Sequence, residues 1–139
     1  MMLKEIMTSG VEVIRPNATL KEAARKMKDL DVGLIPVCDG DRLCGMLTDR
    51  DITVRSTAFG NDPAKTPVEG VMTQEVVYAF EDQDEGDAAK LMEEKQIRRL
   101  IILNRDKRLV GIVSLGDLAT RATRKRHSAE TLQEVSSPA

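Results

Sequence analysis

The chain of 139 residues has no tryptophan, one tyrosine, two phenylalanines and one histidine. A core built from it is therefore aliphatic, packed from Leu, Ile, Val and Met rather than from rings. The lone histidine, His127, sits in a basic run, Arg124-Lys125-Arg126-His127. No Ser-His-Asp set or histidine metal cage can be built around it. No run of eighteen apolar residues occurs, which excludes a membrane-spanning helix, and the Met-Met-Leu-Lys start lacks a hydrophobic signal core. A cytoplasmic protein is expected. Cys38 and Cys44 match no zinc spacing and flank the turn Asp39-Gly40-Asp41. They read either as small apolar residues of adjacent strands or as a cross-strand thiol pair able to oxidise. Charge is nearly balanced, 21 basic against 23 acidic residues, which argues against broad electrostatic binding of nucleic acid. A Gly-rich phosphate loop, an opposed carboxylate pair and a calcium loop are all missing. Neither an enzyme nor a metal protein is expected.

What the sequence does have is a repeat. Gly45-Met46-Leu47-Thr48-Asp49-Arg50-Asp51-Ile52 returns as Gly111-Ile112-Val113-Ser114-Leu115-Gly116-Asp117-Leu118. Both copies read as a glycine, a short apolar strand, a hydroxyl residue, and a carboxylate three positions on. That pattern makes Thr48 and Ser114 helix caps, with Asp51 and Asp117 in the first turn. Upstream, Met7-Thr8 recurs as Met72-Thr73, Ala23-Ala24 as Ala88-Ala89 and Met27 as Met92, each 65 positions on. The glycines are 66 apart, so the turn before the second one has gained a residue. Two tandem copies follow, at 1–62 and 63–127, with 128–139 as a fraying tail. Each copy, at about 65 residues, buries too little surface to stand comfortably alone.

Within each copy the expected order is strand, helix, strand, strand, helix. Leu3–Met7 reads as a helical turn and Gly10–Ile14 as a strand stopped by Pro16. Thr19 and Glu22 form the capping signal of a helix running to about Leu30, with Leu20, Ala23, Ala24 and Met27 on its apolar face. Leu34–Cys38 and Arg42–Leu47 form a hairpin, and Pro36 marks a position where the strand lacks a donor. A helix follows from Asp51 through Ala58. In the second copy Val76–Tyr78 is the first strand, Asp82 or Asp84 the cap, Gln96–Leu103 and Arg108–Val113 the strand pair, and Ser114–Ala122 the last helix.

These elements resemble a cystathionine-beta-synthase (CBS) domain, and the duplication resembles a CBS pair, or Bateman module. The resemblance runs from Leu3 to about Arg124. It rests on Ile6-Met7-Thr8 and Val71-Met72-Thr73, on Thr19-Leu20 with Ala23-Ala24 and Met27, on Gly33-Leu34-Ile35-Pro36-Val37, and on the two Gly-x-x-Thr/Ser-x-x-Asp elements. It implies an α/β fold of two beta-alpha-beta-beta-alpha repeats with pseudo-twofold symmetry. The length implies a small standalone member, and family precedent implies a homodimer whose protein partner the sequence does not name.

The resemblance also implies a regulatory ligand of the adenosine type, AMP, ADP, ATP or S-adenosylmethionine, held in clefts between the repeats. Asp51 and Asp117 would accept from the ribose hydroxyls, and Thr48 and Ser114 would meet the phosphate. Adenine would lie against Val32, Gly33, Leu34, Ile35 and Pro36 in one cleft and around Ile97, Arg98 and Arg99 in the other, with Val11–Val13 and Val76, Val77 and Tyr78 as opposing walls. Arg50 would add charge for a phosphate or occlude the first cleft. Arg98 and Arg99 can hold a phosphate bidentately and favour the second. Each of these residues also has a purely structural reading. First-turn acids are favourable at a helix start without any ligand, caps need no phosphate, and surface arginines pair with neighbouring acids. A ligand-free interaction module remains the alternative. A third use, nucleic-acid binding through Arg121–His127, predicts salt-dependent association.

Overall fold

The computed structural model describes residues 1–122. The basic run Arg124–His127 and the tail 128–139 lie outside the described residues. The chain divides into two compact units. A central unit comprises Val11–Val77 with Lys107–Leu109, and a terminal unit comprises Met1–Gly10, Tyr78–Asp106 and the chain from Val110 onward. No helix of the described residues is long and apolar enough to cross a membrane.

The central unit begins with an extended segment whose Ile14 forms a single parallel bridge to Val37. Helix α1 (Leu20–Leu30) follows, then β1 (Leu34–Asp39), β2 (Arg42–Thr48) and α2 (Asp49–Arg55). Thr19 caps α1, its hydroxyl accepting the Glu22 N–H at 3.2 Å. The helix stops at Asp31 in the left-handed conformation (φ 54°), whose N–H caps the Lys28 and Met27 carbonyls. β1 and β2 pair antiparallel around the turn at Gly40 (φ 65°), with an irregularity between Val37 and Cys38. Turns of 3-10 helix occupy Thr57–Phe59 and Val68–Gly70.

The expected strand Gly10–Ile14 shrinks to that one bridge, and Pro36 gives the reason. Ile14 N–H donates to the Pro36 carbonyl and Cys38 N–H to the Ile14 carbonyl. A further parallel bond would need an N–H from residue 36, and proline has none. The second repeat has Ile101 at that position. There β3 (Tyr78–Phe80) pairs in parallel with β4 (Arg99–Leu103) over three residues, Tyr78 opposite Ile101.

The terminal unit opens with a 3-10 turn, Leu3–Glu5, and contains β3, α3 (Glu85–Lys95), β4, β5 (Leu109–Ser114) and α4 (Leu115–Asp117). Its sheet order is β3-β4-β5. Asp84 caps α3 through the Gly86 N–H at 2.9 Å, and Gln96 ends it at φ 54°, as Asp31 ends α1. After α4 the chain makes a π-helical turn, Leu118–Ala122, where the Thr120 hydroxyl donates to the Gly116 carbonyl at 2.8 Å. Such back-bonding distorts a helix.

Each unit has its own aliphatic core. Ile14, Leu20, Ala23, Met27, Ile35, Val37, Leu47, Val68 and Val71 form the central one. Leu3, Ile6, Ala88, Met92, Leu100, Ile102 and Val113 are among the buried residues of the terminal one. Ala24, placed on the apolar face of α1 by periodicity, is exposed, as is its repeat equivalent Ala89.

Candidate functional site

The duplicated element folds the same way in both units. Thr48 Oγ1 accepts the Asp51 N–H at 3.0 Å while Asp51 Oδ2 accepts the Thr48 N–H at 3.0 Å. Ser114 Oγ accepts the Asp117 N–H at 3.0 Å while Asp117 Oδ2 accepts the Ser114 N–H at 3.1 Å. These are reciprocal capping boxes with aspartate in the usual Glu/Gln position. One oxygen of each carboxylate is thus committed to the helix start. Asp51 is the more enclosed, its side chain 11% exposed against 23% for Asp117.

A main-chain bond joins each box to the segment expected to meet the adenine. Asp49 N–H donates to the Gly33 carbonyl at 3.0 Å, and Leu115 N–H to the Arg98 carbonyl at 2.8 Å. The two bonds are repeat equivalents. In the central unit Leu34 stands opposite Thr48 in the β1–β2 ladder. Val32, Gly33 and Leu34 are half-buried there, while Ile35 and Pro36 are buried and Ile35 belongs to the core. In the terminal unit Ile97 is half-buried and Arg98 and Arg99 are exposed. The units differ at one pair. Gly33 faces Asp49, whose Oδ2 would lie 2.9 Å from a Cβ at residue 33, whereas the equivalent pair is Arg98 and Leu115. Arg50 is exposed, and its N–H donates to Asp49 Oδ1 at 2.8 Å.

Val76 and Val77 are half-buried in the central unit, and Tyr78 is half-buried in the terminal unit. The Tyr78 ring meets Phe80 edge-on, centroids 5.6 Å apart, and the Arg105 guanidinium lies over the Phe80 ring at 4.1 Å. Arg105 is held by Asp82, whose carboxyl is lowered by that hydrogen bond. On the other expected wall, the Val13 carbonyl is occupied by Lys26 Nζ at 2.7 Å. Cys38 and Cys44 are both free thiols. Burial, with Cys44 and Asp41 adding to it, pushes the Cys38 thiol up to about 11.

Four residues around the boxes were not among the expected site residues. Arg55 and Arg121 each lie one helical turn after the aspartate. Arg55 Nε is 3.9 Å from Asp51 Oδ1 and Arg121 Nε is 3.6 Å from Asp117 Oδ1. Arg55 Nη1 donates to the Val71 and Met72 carbonyls, both at 3.3 Å. Arg121 Nη1 donates to the Ile6 carbonyl at 3.3 Å and to Thr8 Oγ1 at 3.0 Å. Thr73 Oγ1 donates to Asp51 Oδ2 at 3.3 Å. The signal was present in the sequence, because Arg55 and Arg121 are 66 apart, the same offset as the aspartates.

The Met-Thr segments also explain the glycines. Thr73 and Met46 exchange two backbone bonds of 2.8 Å, and Thr8 and Ile112 exchange bonds of 2.9 and 3.0 Å. A Cβ on Gly45 would stand 2.7 Å from the Thr73 carbonyl and 2.8 Å from Met72 Sδ, and one on Gly111 would stand 2.6 Å from Met7 Sδ and 2.9 Å from the Thr8 carbonyl. Only a residue without a Cβ admits that approach.

Two β-α-β-β-α units, each with a hydroxyl–aspartate box tied to its central strand pair, define a duplicated α/β module. The CBS domain family model matches residues 3–56 and 68–123, and the chain belongs to the CBS-domain family as a tandem pair. It is 45% identical over 134 residues to the CBS domain-containing protein YhcV of Bacillus subtilis, covering 96% of this chain and 94% of that one. A crystal structure of Hypoxic Response Protein I with two coordinated zinc ions is 37% identical, with a TM-score of 0.78 and coverage of 86% of this chain and 97% of that chain. The CBS domain pair of protein MJ0100, in complex with 5-methylthioadenosine and S-adenosyl-L-methionine, is 25% identical, with a TM-score of 0.75 and coverage of 90% and 98%. Among the described residues no cluster of three or more His, Cys, Asp or Glu is arranged to hold a metal ion.

Proposed function

We propose that the protein is a sensor that takes an adenosine-containing ligand, AMP, ADP, ATP or S-adenosylmethionine, at the carboxylates of Asp51 and Asp117. The observation that carries this is the bond from each capping box to residue 33 or 98, which sets a carboxylate and a hydroxyl beside the start of the following strand in both units. Oδ2 of each aspartate serves the cap, so Oδ1 is the oxygen for a ribose diol. Thr48 and Ser114 accept a cap bond but keep their own O–H to donate to a phosphate oxygen. Arg98 and Arg99, exposed beside Ser114, add bidentate donors in the terminal unit, and Arg50 adds one cation in the central unit. Ligands of this type bound to the MJ0100 pair support the ligand class. A protein partner reading the occupied state belongs to the same proposal.

Isothermal titration of the nucleotide-stripped protein with AMP, ATP and S-adenosylmethionine tests it. Asp51→Asn and Asp117→Asn are the informative variants, because the amide oxygen can still accept the cap N–H while the charge on Oδ1 is lost. Binding that falls at least tenfold in one variant, equivalent to about 1.4 kcal/mol, supports the proposal. Binding unchanged in both, or no heat at millimolar ligand, overturns it.

A homodimer is part of the same proposal. Leu30 and Val54 are 41% and 46% exposed. Between α1 and α2 runs an open groove of about 480 Å³ in which Ala24, Met27, Val32 and Ile52 alternate with Lys28, Asp31, Asp49 and Thr53. Exposed apolar side chains on both helices favour cover by a second copy. Sedimentation equilibrium checks it, and a monomer at micromolar concentration contradicts it.

A further inference from the structure

We propose that Arg55 and Arg121 are positioning residues that tie each aspartate to a segment just before one of the chain's first two passages between its units. The coupling half of this proposal rests on the ligand reading above. The tie itself rests on contacts within each unit. Arg55 approaches Asp51 Oδ1 through Nε and holds the Val71 and Met72 carbonyls through Nη1. Arg121 does the same with Asp117, the Ile6 carbonyl and the Thr8 hydroxyl.

The held segments have a particular place in the chain. The first passage out of the terminal unit falls at Gly10–Val11, two residues after Thr8, and the first passage back falls at Val77–Tyr78, four residues after Thr73; the chain crosses twice more around Lys107–Leu109. Each segment is pinned to its unit by one two-bond bridge, Thr8 to Ile112 or Thr73 to Met46. The guanidinium reinforces that bridge from the side, and the carboxylate orients the guanidinium. A guanidinium anchored at both ends loses less freedom on bonding than a free one.

Oδ1 is the oxygen shared by both roles. A diol donating to Oδ1 draws on the negative charge that attracts Arg Nε, and so weakens the ion pair, while the Thr73 hydroxyl keeps its shorter bond to Asp51 Oδ2. Occupancy therefore loosens the crossover. The same carboxylate cannot serve ligand and latch at full strength, and that exclusion is the differential affinity a sensor requires.

Amide hydrogen exchange on the full chain, read at Met46 and Thr73 for one latch and at Thr8 and Ile112 for the other, tests both halves. In ligand-free protein, Arg55→Gln is expected to speed exchange at Met46 and Thr73 about tenfold, the order expected for losing bonds to a charged donor, and to leave Thr8 and Ile112 unchanged. Arg121→Gln is expected to do the reverse. Asp51→Asn should reproduce the Arg55→Gln effect, and the double variant should add nothing to it. Additive effects, or no local change, overturn the latch. Arg55 is 51% exposed and Arg121 44% exposed, so both variants are expected to fold. With AMP as the probe, wild-type exchange at these amides should rise, and Arg55→Gln should show no further rise at Met46 and Thr73. Binding of AMP with unchanged or slowed exchange overturns the coupling while leaving the ligand reading intact. Absence of AMP binding by calorimetry overturns the ligand reading and the coupling together, and the ligand-free double-mutant cycle then decides the latch alone.

Discussion

Replacing Gly45 by alanine puts a methyl group where the Thr73 carbonyl already sits. The backbone at Gly45 is not in the left-handed region, so alanine by itself would reduce unfolded-state freedom and stabilise by about 0.4–1 kcal/mol. Against that stands a Cβ 2.7 Å from the Thr73 oxygen, 2.8 Å from Met72 Sδ and 3.2 Å from Met72 Cγ. The methionine can swing aside, but the carbonyl is fixed by the Met46 N–H at 2.8 Å. Forcing a methylene-sized group into such a contact costs about 1–3 kcal/mol. The steric cost wins, leaving a net loss of about 1–2 kcal/mol, or roughly 3–6 °C in Tm for a chain of this size. Gly111→Ala meets Met7 Sδ and Cγ first and the Thr8 carbonyl at 2.9 Å, so its loss should fall at the lower end of the same range. Urea unfolding gives the stability, and exchange at Met46 and Thr73 gives the locality. A Gly45→Ala protein as stable as wild type, with that bridge still protected, would refute the close-approach argument.

Gly86→Ala should have the opposite sign. Its Cβ would meet only the Asp84 carboxylate, at 3.0 Å, and a first-turn position of α3 gains part of the ~1 kcal/mol that alanine brings to a helix interior; urea unfolding should show a gain of a few tenths of a kcal/mol, about 0.3–0.5. Ser114→Ala and Thr48→Ala each remove a cap hydroxyl and should each cost about 1 kcal/mol in the same assay. Cys38, buried and with its thiol raised to about 11, is a thiolate only as pH approaches that value. Iodoacetamide at pH 8 should therefore modify half-buried Cys44 well before Cys38, as read by mass spectrometry.

Much of this fold was legible because the repeat supplies a second copy of every signal. The caps Thr19, Thr48 and Ser114 followed from residue type and spacing, and each forms its bond. The aliphatic core followed from the shortage of rings. Other features depend on a partner strand or segment distant in the chain. Pro36 was read as a donorless position, yet its effect falls on the Ile14 segment, cutting the expected strand to one bridge. Ala24 fits the apolar face of α1 by period but is exposed, because nothing within the described residues covers it. At the candidate site the aspartates and hydroxyls were legible as local motifs. Arg55, Arg121, Thr8 and Thr73 were not: each arginine meets its aspartate one turn away, but the carbonyls and hydroxyl it also holds, and the Thr73 bond to Asp51, come from segments far away in sequence. Their shared offset was visible, but a repeated arginine on a helix also reads as a solvated face.

A crystal structure of the protein grown with AMP is the most direct test of the account. The account predicts nucleotide density with a ribose hydroxyl within hydrogen-bond distance of Oδ1 of Asp117 or Asp51, and the phosphate near Ser114 or Thr48. Density for AMP elsewhere on the protein, or none in crystals soaked at millimolar concentration, would contradict it.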